Sequence, residues 1–142
     1  NAFAMAFRNE IAPIGALTVT GAQLRANVPR SSRVGVEGEL SWRARPTLLL
    51  TGNAMLLRAR SGEYTDEGTS TTYTDVEPLL TPAIVASAQA AWTPRRGTEL
   101  SVTLRHVGES HLANDGNDAL VTPAFTLADA GASLALAGAT LR

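Results

Sequence analysis

The stretch that decides the fold is Ser32 to Trp42, "SRVGVEGELSW", in which Val34, Val36, Leu40 and Trp42 fall on one side and Arg33, Glu37, Glu39 and Ser41 on the other. Successive side chains of a β-strand point to opposite faces, so a period of two predicts a strand with one apolar and one polar face. The strand ends on Trp42 and runs into Arg43-Ala44-Arg45-Pro46-Thr47. The same order recurs in "AWTPRRG" (Ala91 to Gly97), where the second of the chain's two tryptophans ends a segment just before a turn of Arg, Pro and Gly. A tryptophan placed twice at the same point of a hairpin needs an explanation.

Working outward, alternation predicts five more strands. Residues 2–12 set Phe3, Met5, Phe7 and Ile11 against Ala4, Ala6, Arg8 and Glu10. Residues 48–60 set Leu48, Leu50, Ala54 and Leu56 against Thr51 and Asn53, with Met55 blurring the polar side. Residues 84–92 and 100–107 repeat the pattern, and residues 124–136 set Ala128, Ala130, Ala132, Leu134 and Leu136 against Asp129, Gly131 and Ser133. Tight turns are expected near 43–47 and 93–98, and long polar loops near 13–31, 61–82 and 108–122. Strands joined alternately by short and long links make an antiparallel up-and-down meander with its tight turns on one edge, the asymmetry of outer-membrane barrels. Segments of about 9 to 13 residues suit a tilted membrane strand better than the ~5 to 6 of an average globular one. A soluble β-sandwich, whose strands also alternate, is the competing architecture.

Composition narrows the function classes. The chain has 142 residues, 44% hydrophobic, but aromatics make up 5%, so bulky side chains for a dense core are scarce. With 12 basic and 13 acidic residues there is no broad positive field, and no nucleic-acid partner is expected. The absence of cysteine excludes disulfides, thiolate metal sites and cysteine nucleophiles. The longest apolar run, Ala2 to Phe7, is far short of the ~20 residues of a membrane helix, which leaves a β-barrel open.

The order of motifs is more specific. "FAMAFRNEIAPIG" (Phe3 to Gly15), "LRANVPRSSRVGVEGELSW" (Leu24 to Trp42), "LLLTGNAMLLRAR" (Leu48 to Arg60), "EPLLTPAIVASAQAAWTPRRG" (Glu77 to Gly97) and "LRHVGESHLANDGNDALVTPAFTLADAGASL" (Leu104 to Leu134) together resemble the C-terminal part of the barrel of TonB-dependent outer-membrane receptors. The Asn-Glu-Ile of an outgoing strand, the Arg-x-Gly-x-Glu of Arg33, Gly35 and Glu37, Gly52-Asn53 and the run Pro123 to Asp129 carry most of the likeness. The chain departs from the family pattern at Ala4, Val34 and Ala54, where an aromatic is common, and at Ala6 and Ala113, where an acid is.

The resemblance implies an all-β segment of about six to seven strands of a 22-stranded Gram-negative outer-membrane barrel closed around an N-terminal plug. It implies a receptor for TonB-dependent uptake of a scarce nutrient such as a ferric siderophore. The implied partners are outer-membrane lipid and lipopolysaccharide, the receptor's own plug and remaining strands, the TonB complex acting through the N-terminal part, and a small-molecule or metal-chelate ligand. With no plug, TonB box or closing aromatic strand in residues 1–142, the chain is expected to be a fragment. Its open strand edges predict aggregation or a need for detergent, because lipid does not tolerate unpaired backbone groups. A barrel of another class, enzyme or porin, and a soluble β-sandwich binding module are the alternatives.

Within this frame Arg8, Glu10, Arg33, Glu37, Asn53, Arg105 and Asp129 are expected to face the lumen, contacting ligand or plug or bracing the wall by cross-strand charge pairs. Arg33 and Arg105, near the loop ends, would suit an anionic ligand. Trp42 and Trp92 are expected at one height on the outer face, in the aromatic girdle next to the short turns, since indole favours the membrane interface. His106, Glu109, His111, Asp115 and Asp118 match no established metal-ligand spacing and read as a solvated loop. The acidic run from Ser61 to Glu77, with Glu63, Asp66, Glu67, Asp75 and Glu77, reads the same way, the alternative being divalent cations at the lipopolysaccharide surface. Ser110, His106 and Asp115 lack the framing loops of a hydrolase, so no catalytic residue, metal or cofactor is expected.

Overall fold

The computed structural model describes residues 1–17, 19–66, 70–136 and 139–141, with side chains described except at 14–17, 23, 136 and 139–141. Every element is a strand: β1 (Ala2–Leu17), β2 (Gln23–Arg45), β3 (Leu48–Ser61), β4 (Tyr64–Asp66), β5 (Thr71–Tyr73), β6 (Ile84–Arg95), β7 (Thr98–Val107), β8 (Ser110–His111), β9 (Val121–Thr122), β10 (Phe125–Leu136) and β11 (Ala139–Leu141). Six long strands and the short β11 form one antiparallel sheet in the order β1-β2-β3-β6-β7-β10-β11, a meander, and β4-β5 and β8-β9 are small separate hairpins.

The two tight turns share one design. Arg45 leads into Pro46-Thr47 and Arg95 into Arg96-Gly97, and in both hairpins the register slips by one just before the turn, between Arg43 and Arg45 and between Trp92 and Arg95. Gly97 takes φ +78, a conformation that only glycine adopts freely. Each tryptophan lies three residues before the end of its strand. The long links lie at the opposite edge, but they hold more structure than polarity suggests. β1 and β2 continue far into residues 13–31, leaving only a short connection there, while 61–82 and 108–122 carry the two small hairpins. Glu67, part of the expected acidic loop, lies outside the described residues.

Residues directly opposite in an antiparallel pair share a face, so the register sorts the side chains. Trp42, Leu50, Ala90, Val102 and Ala130 form one row across five strands, and Val36, Leu56 and Ile84 lie in another on the same face. The opposite face carries Ser41, Thr51, Gln89, Thr103 and Asp129 in one row and Glu39, Asn53, Ser87 and Arg105 in the next. In these middle rows one face is therefore apolar and the other polar, whereas nearer the loops the second face carries Met55, Val85, Val107 and Phe125 in one row with Glu37.

The alternation alone leads one to expect Phe3 on the same face as Val36, Leu50, Ala88, Val102 and Ala132, and β1 departs from that. Phe3 is opposite Gly35 and Met5 opposite Arg33, so the bulky residues of β1 join the polar face, while Ala2, Ala4 and Ala6 join Val36, Val34 and Ser32 on the apolar one. The reason is a fit: a Cβ on Gly35 would lie 2.6 Å from Phe3 Cζ and 2.7 Å from the Leu56 carbonyl oxygen, so the phenyl ring occupies the space the glycine leaves.

Few large side chains are buried. Among the described residues the buried hydrophobics are Val28, Ala59 and Tyr64, whereas Val34, Val36, Leu40, Trp42, Leu56, Trp92, Val102 and Leu104 on the apolar face are each about half exposed, from 48% to 65%. A small core, Val28 against Tyr64 with Ala12, Leu24, Ala26, Tyr73 and Val76 around them, sits where the β4-β5 hairpin covers the upper part of β1 and β2.

Candidate functional site at the loop edge and polar face

The polar face collects most of the charged residues singled out from the sequence. Asn53 and Arg105 stand in one row with Ser87 between them, Asp129 is one row nearer the tight turns, and Glu37 is one row nearer the loops. A hollow of about 470 Å³ lies over Ser41, Asn53, Gln89, Thr103 and Arg105. Glu37 accepts a hydrogen bond from Asn1 Nδ2 at 3.1 Å.

Glu10 and Arg33 are brought together and Arg8 is not. Asn9 has φ +54, and opposite it stands Pro29, which offers no N–H to the ladder. Asparagine tolerates the left-handed conformation better than most residues. The pleat is interrupted there, and the Glu10 side chain ends up with Ser31 and Arg33: Arg33 Nη2 donates to Glu10 Oε1 at 2.7 Å, Nη1 to Oε2 at 3.3 Å, and Ser31 Oγ donates to Oε2. The Arg33 guanidinium also lies 4.7 Å from the centre of the Phe7 ring, a cation–π contact. Glu10 and Arg33 thus brace β1 against β2, and their charges are already matched. Arg8 is paired in register with Arg30 and shares the apolar-face side with Ala6 and Ser32, which corrects its expected lumen position.

The two elaborated links are joined by a residue that sequence reading passed over. Asn114 is fully buried. Its Oδ1 accepts the Leu79 N–H at 2.5 Å, its Nδ2 donates to the Pro13 carbonyl at 2.8 Å, and its own carbonyl accepts the Tyr64 hydroxyl. Three distant segments, the end of β1, the link after β3 and the link after β7, are held by one side chain and its carbonyl. Asn114 lies in "NDGND", which composition identifies only as a turn. The tyrosine beside it had the better signal, being one of two in the chain and spaced for a hairpin with Tyr73, whose ring centre is 5.5 Å away. Burial, with the negative groups nearby, pushes the Tyr64 phenol up to about 12, so it stays a hydrogen-bond donor over the whole neutral range.

Around this junction run ion pairs. Arg60 Nη1 lies 2.5 Å from Glu77 Oε1, His111 Nδ1 lies 3.6 Å from Glu77 Oε2, and His111 Nε2 lies 3.4 Å from Asp118 Oδ1. The Leu80 N–H donates to the His111 carbonyl at 2.8 Å, a further tie between the links. No group of three or more His, Asp or Glu side chains among the described residues is arranged to hold a metal ion. The members of the Ser/His/Asp set each have a separate setting: His106 Nδ1 is 2.9 Å from Thr126 Oγ1, Asp115 Oδ1 accepts the Asn117 N–H at 3.0 Å, and Ser110 is buried in β8.

No protein-family model and no curated protein matches the chain. The geometry therefore carries the functional reading. Trp42 and Trp92 lie on the same apolar face, two strands apart with β3 between them, in rows offset by two residues, about 7 Å along the strand. Both are about half exposed.

Proposed function

We propose that the chain forms part of the barrel wall and outer loops of a TonB-dependent outer-membrane receptor that takes up a scarce nutrient such as a ferric siderophore. The observation that carries this reading is the two-faced sheet: apolar and exposed on one side across five strands, and hydroxyl-, amide- and charge-bearing on the other in the rows through Thr51 and Asn53. An exposed apolar face this continuous is not left to water by soluble monomers, and lipid is the solvent that suits it. From Val34 to Trp42 the apolar side of β2 runs eight residue steps, about 27 Å. At a tilt of ~40° that spans about 20 Å of depth, near the ~25 Å apolar band of outer-membrane barrels.

The 23 residues of β2 support the same orientation. They reach roughly 75 Å, well beyond what a tilted strand needs to cross ~30 Å of hydrocarbon, so the part nearest β1's far end would project into water. That part carries the small core, Asn114 and the interlocked links, as expected of outer loops that meet a ligand. The Arg-rich tight turns would lie on the periplasmic side, with Trp42 and Trp92 at that interface. Uptake in cells tests the reading: loss of the intact gene and loss of TonB should each abolish accumulation of the same iron chelate, and accumulation that persists without TonB would contradict it.

A further inference from the structure

The apolar face has one strongly basic corner. Arg8 and Arg30 are directly opposite in register, Arg60 is opposite Ser32 in the next row, and Arg58 is opposite Val34 in the row after that. All four stand on the apolar-face side at the loop end, Arg8, Arg30 and Arg60 just beyond the band that begins at Val34 and Arg58 in its first row. Like charges directly opposite on neighbouring strands are destabilising. Yet among the described residues neither Arg8, Arg30 nor Arg58 has an acidic partner, and only Arg60 is paired, with Glu77 and at 3.9 Å with Asp75. Arg60 Nε is buried without any hydrogen-bond partner.

Two hollows lie here in neighbouring rows of the sheet. One, of about 420 Å³, is walled by Ala6, Arg8, Arg30, Ser32, Arg60 and Asp75, with that aspartate the one acid among its described lining residues. The other, of about 710 Å³, is apolar, with Val34, Val36, Leu56 and Ile84 along it and Arg58 at its side. The space exists because β1 presents alanine on this face: Ala6 borders the first hollow, and Ala2 and Ala4 border the second. A basic hollow adjoining an apolar one is complementary to an amphiphile with an anionic head and acyl tail.

We infer that this corner binds a phosphorylated lipid, its phosphate monoester between Arg8 and Arg30 and an acyl chain along Val34, Val36 and Leu56. Arginine suits this task because its planar fork can donate two hydrogen bonds to one phosphate. A dianion between the two guanidinia would convert the repulsive Arg8–Arg30 pair into a bridge from β1 to β2. The inference rests on the apolar face lying in lipid.

The test uses the full chain in nonionic detergent micelles doped with phosphatidic acid or phosphatidylcholine, with retained lipid counted by native mass spectrometry. Phosphatidic acid should be retained about tenfold or more above phosphatidylcholine. The Arg8→Gln/Arg30→Gln pair should lose that preference, and Arg95→Gln/Arg96→Gln at the tight turn should keep it. Equal retention of both lipids by the unaltered chain, or an undiminished preference in the Arg8→Gln/Arg30→Gln pair, overturns the site while leaving the barrel reading intact. Displacement of phosphatidic acid by equimolar inorganic phosphate would mark a free-phosphate site and overturn the lipid assignment. A detergent-free, monomeric, folded chain would overturn the underlying reading and the site with it. Were the Arg8→Gln/Arg30→Gln pair to lose its β circular dichroism, Arg8→Lys/Arg30→Lys decides: retention above the phosphatidylcholine level supports the site, and retention at that level overturns it.

Discussion

Replacing Asn114 by alanine should release the outer links from the sheet without unfolding it. The substitution removes the acceptor for the Leu79 N–H and the donor to the Pro13 carbonyl, both at a residue with no exposed surface. A buried group left unsatisfied costs about 1–3 kcal/mol. Two such groups, partly relieved by water entering the opened junction, give about 3 kcal/mol. The cost falls on a local opening, because the strands of the main sheet keep their own ladder. Hydrogen exchange resolved at single amides is the assay: the Leu79 and Leu80 N–H groups should exchange on the order of 100-fold faster in Asn114→Ala, while Leu104 in the middle of β7 should change little. If Leu79 exchange changes less than threefold, Asn114 does not hold the links and the junction argument fails.

Gly35→Ala should destabilise the β1–β2–β3 region by about 2 kcal/mol, because the new Cβ meets both the Phe3 ring and the Leu56 carbonyl oxygen. Phe3→Ala in the same chain should recover only part of the loss, since the backbone contact remains; denaturant unfolding in detergent reads both, and full recovery would refute the packing account. Tyr64 should titrate at about 12 by tyrosinate absorbance. Because its folded value is raised above the ordinary value near 10, its stabilisation of the loop junction is complete below pH 10 and is lost as pH rises from there through about 12. In Tyr64→Phe that alkaline loss should disappear, and an unchanged alkaline transition would contradict it.

The strand pattern was legible because alternation is a local property: Val34 to Trp42 and Leu100 to Arg105 each announce two unlike faces. The tight turns were legible for the same reason, since Arg45-Pro46 and Arg96-Gly97 interrupt the pattern with turn residues. Alternation does not say which face of one strand joins which face of the next. β1 shows the difference: Phe3, Met5 and Phe7 look like its membrane side, but the register turns them towards Gly35, Arg33 and Ser31. Only the pairing, and the room left by Gly35, fixes that choice. Of the residues expected on the polar face, Arg33, Glu37, Asn53, Arg105 and Asp129 lie in its rows, Glu10 reaches Arg33 because the pleat breaks at Asn9, and Arg8 falls on the other side. The Asn114 junction was not legible, because its partners Pro13, Tyr64 and Leu79 are brought together only by the way the links fold back.

The central claim, that one face of the sheet meets lipid and the other water, is tested most directly by single cysteines, for which the natural chain supplies a cysteine-free background. Cysteines placed one at a time at positions 100 to 105 in β7, in bilayers, should react with a water-soluble, membrane-impermeant thiol reagent at 101, 103 and 105 and stay protected at 100, 102 and 104. Uniform reaction at all six positions, or protection at 101, 103 and 105, would contradict the account.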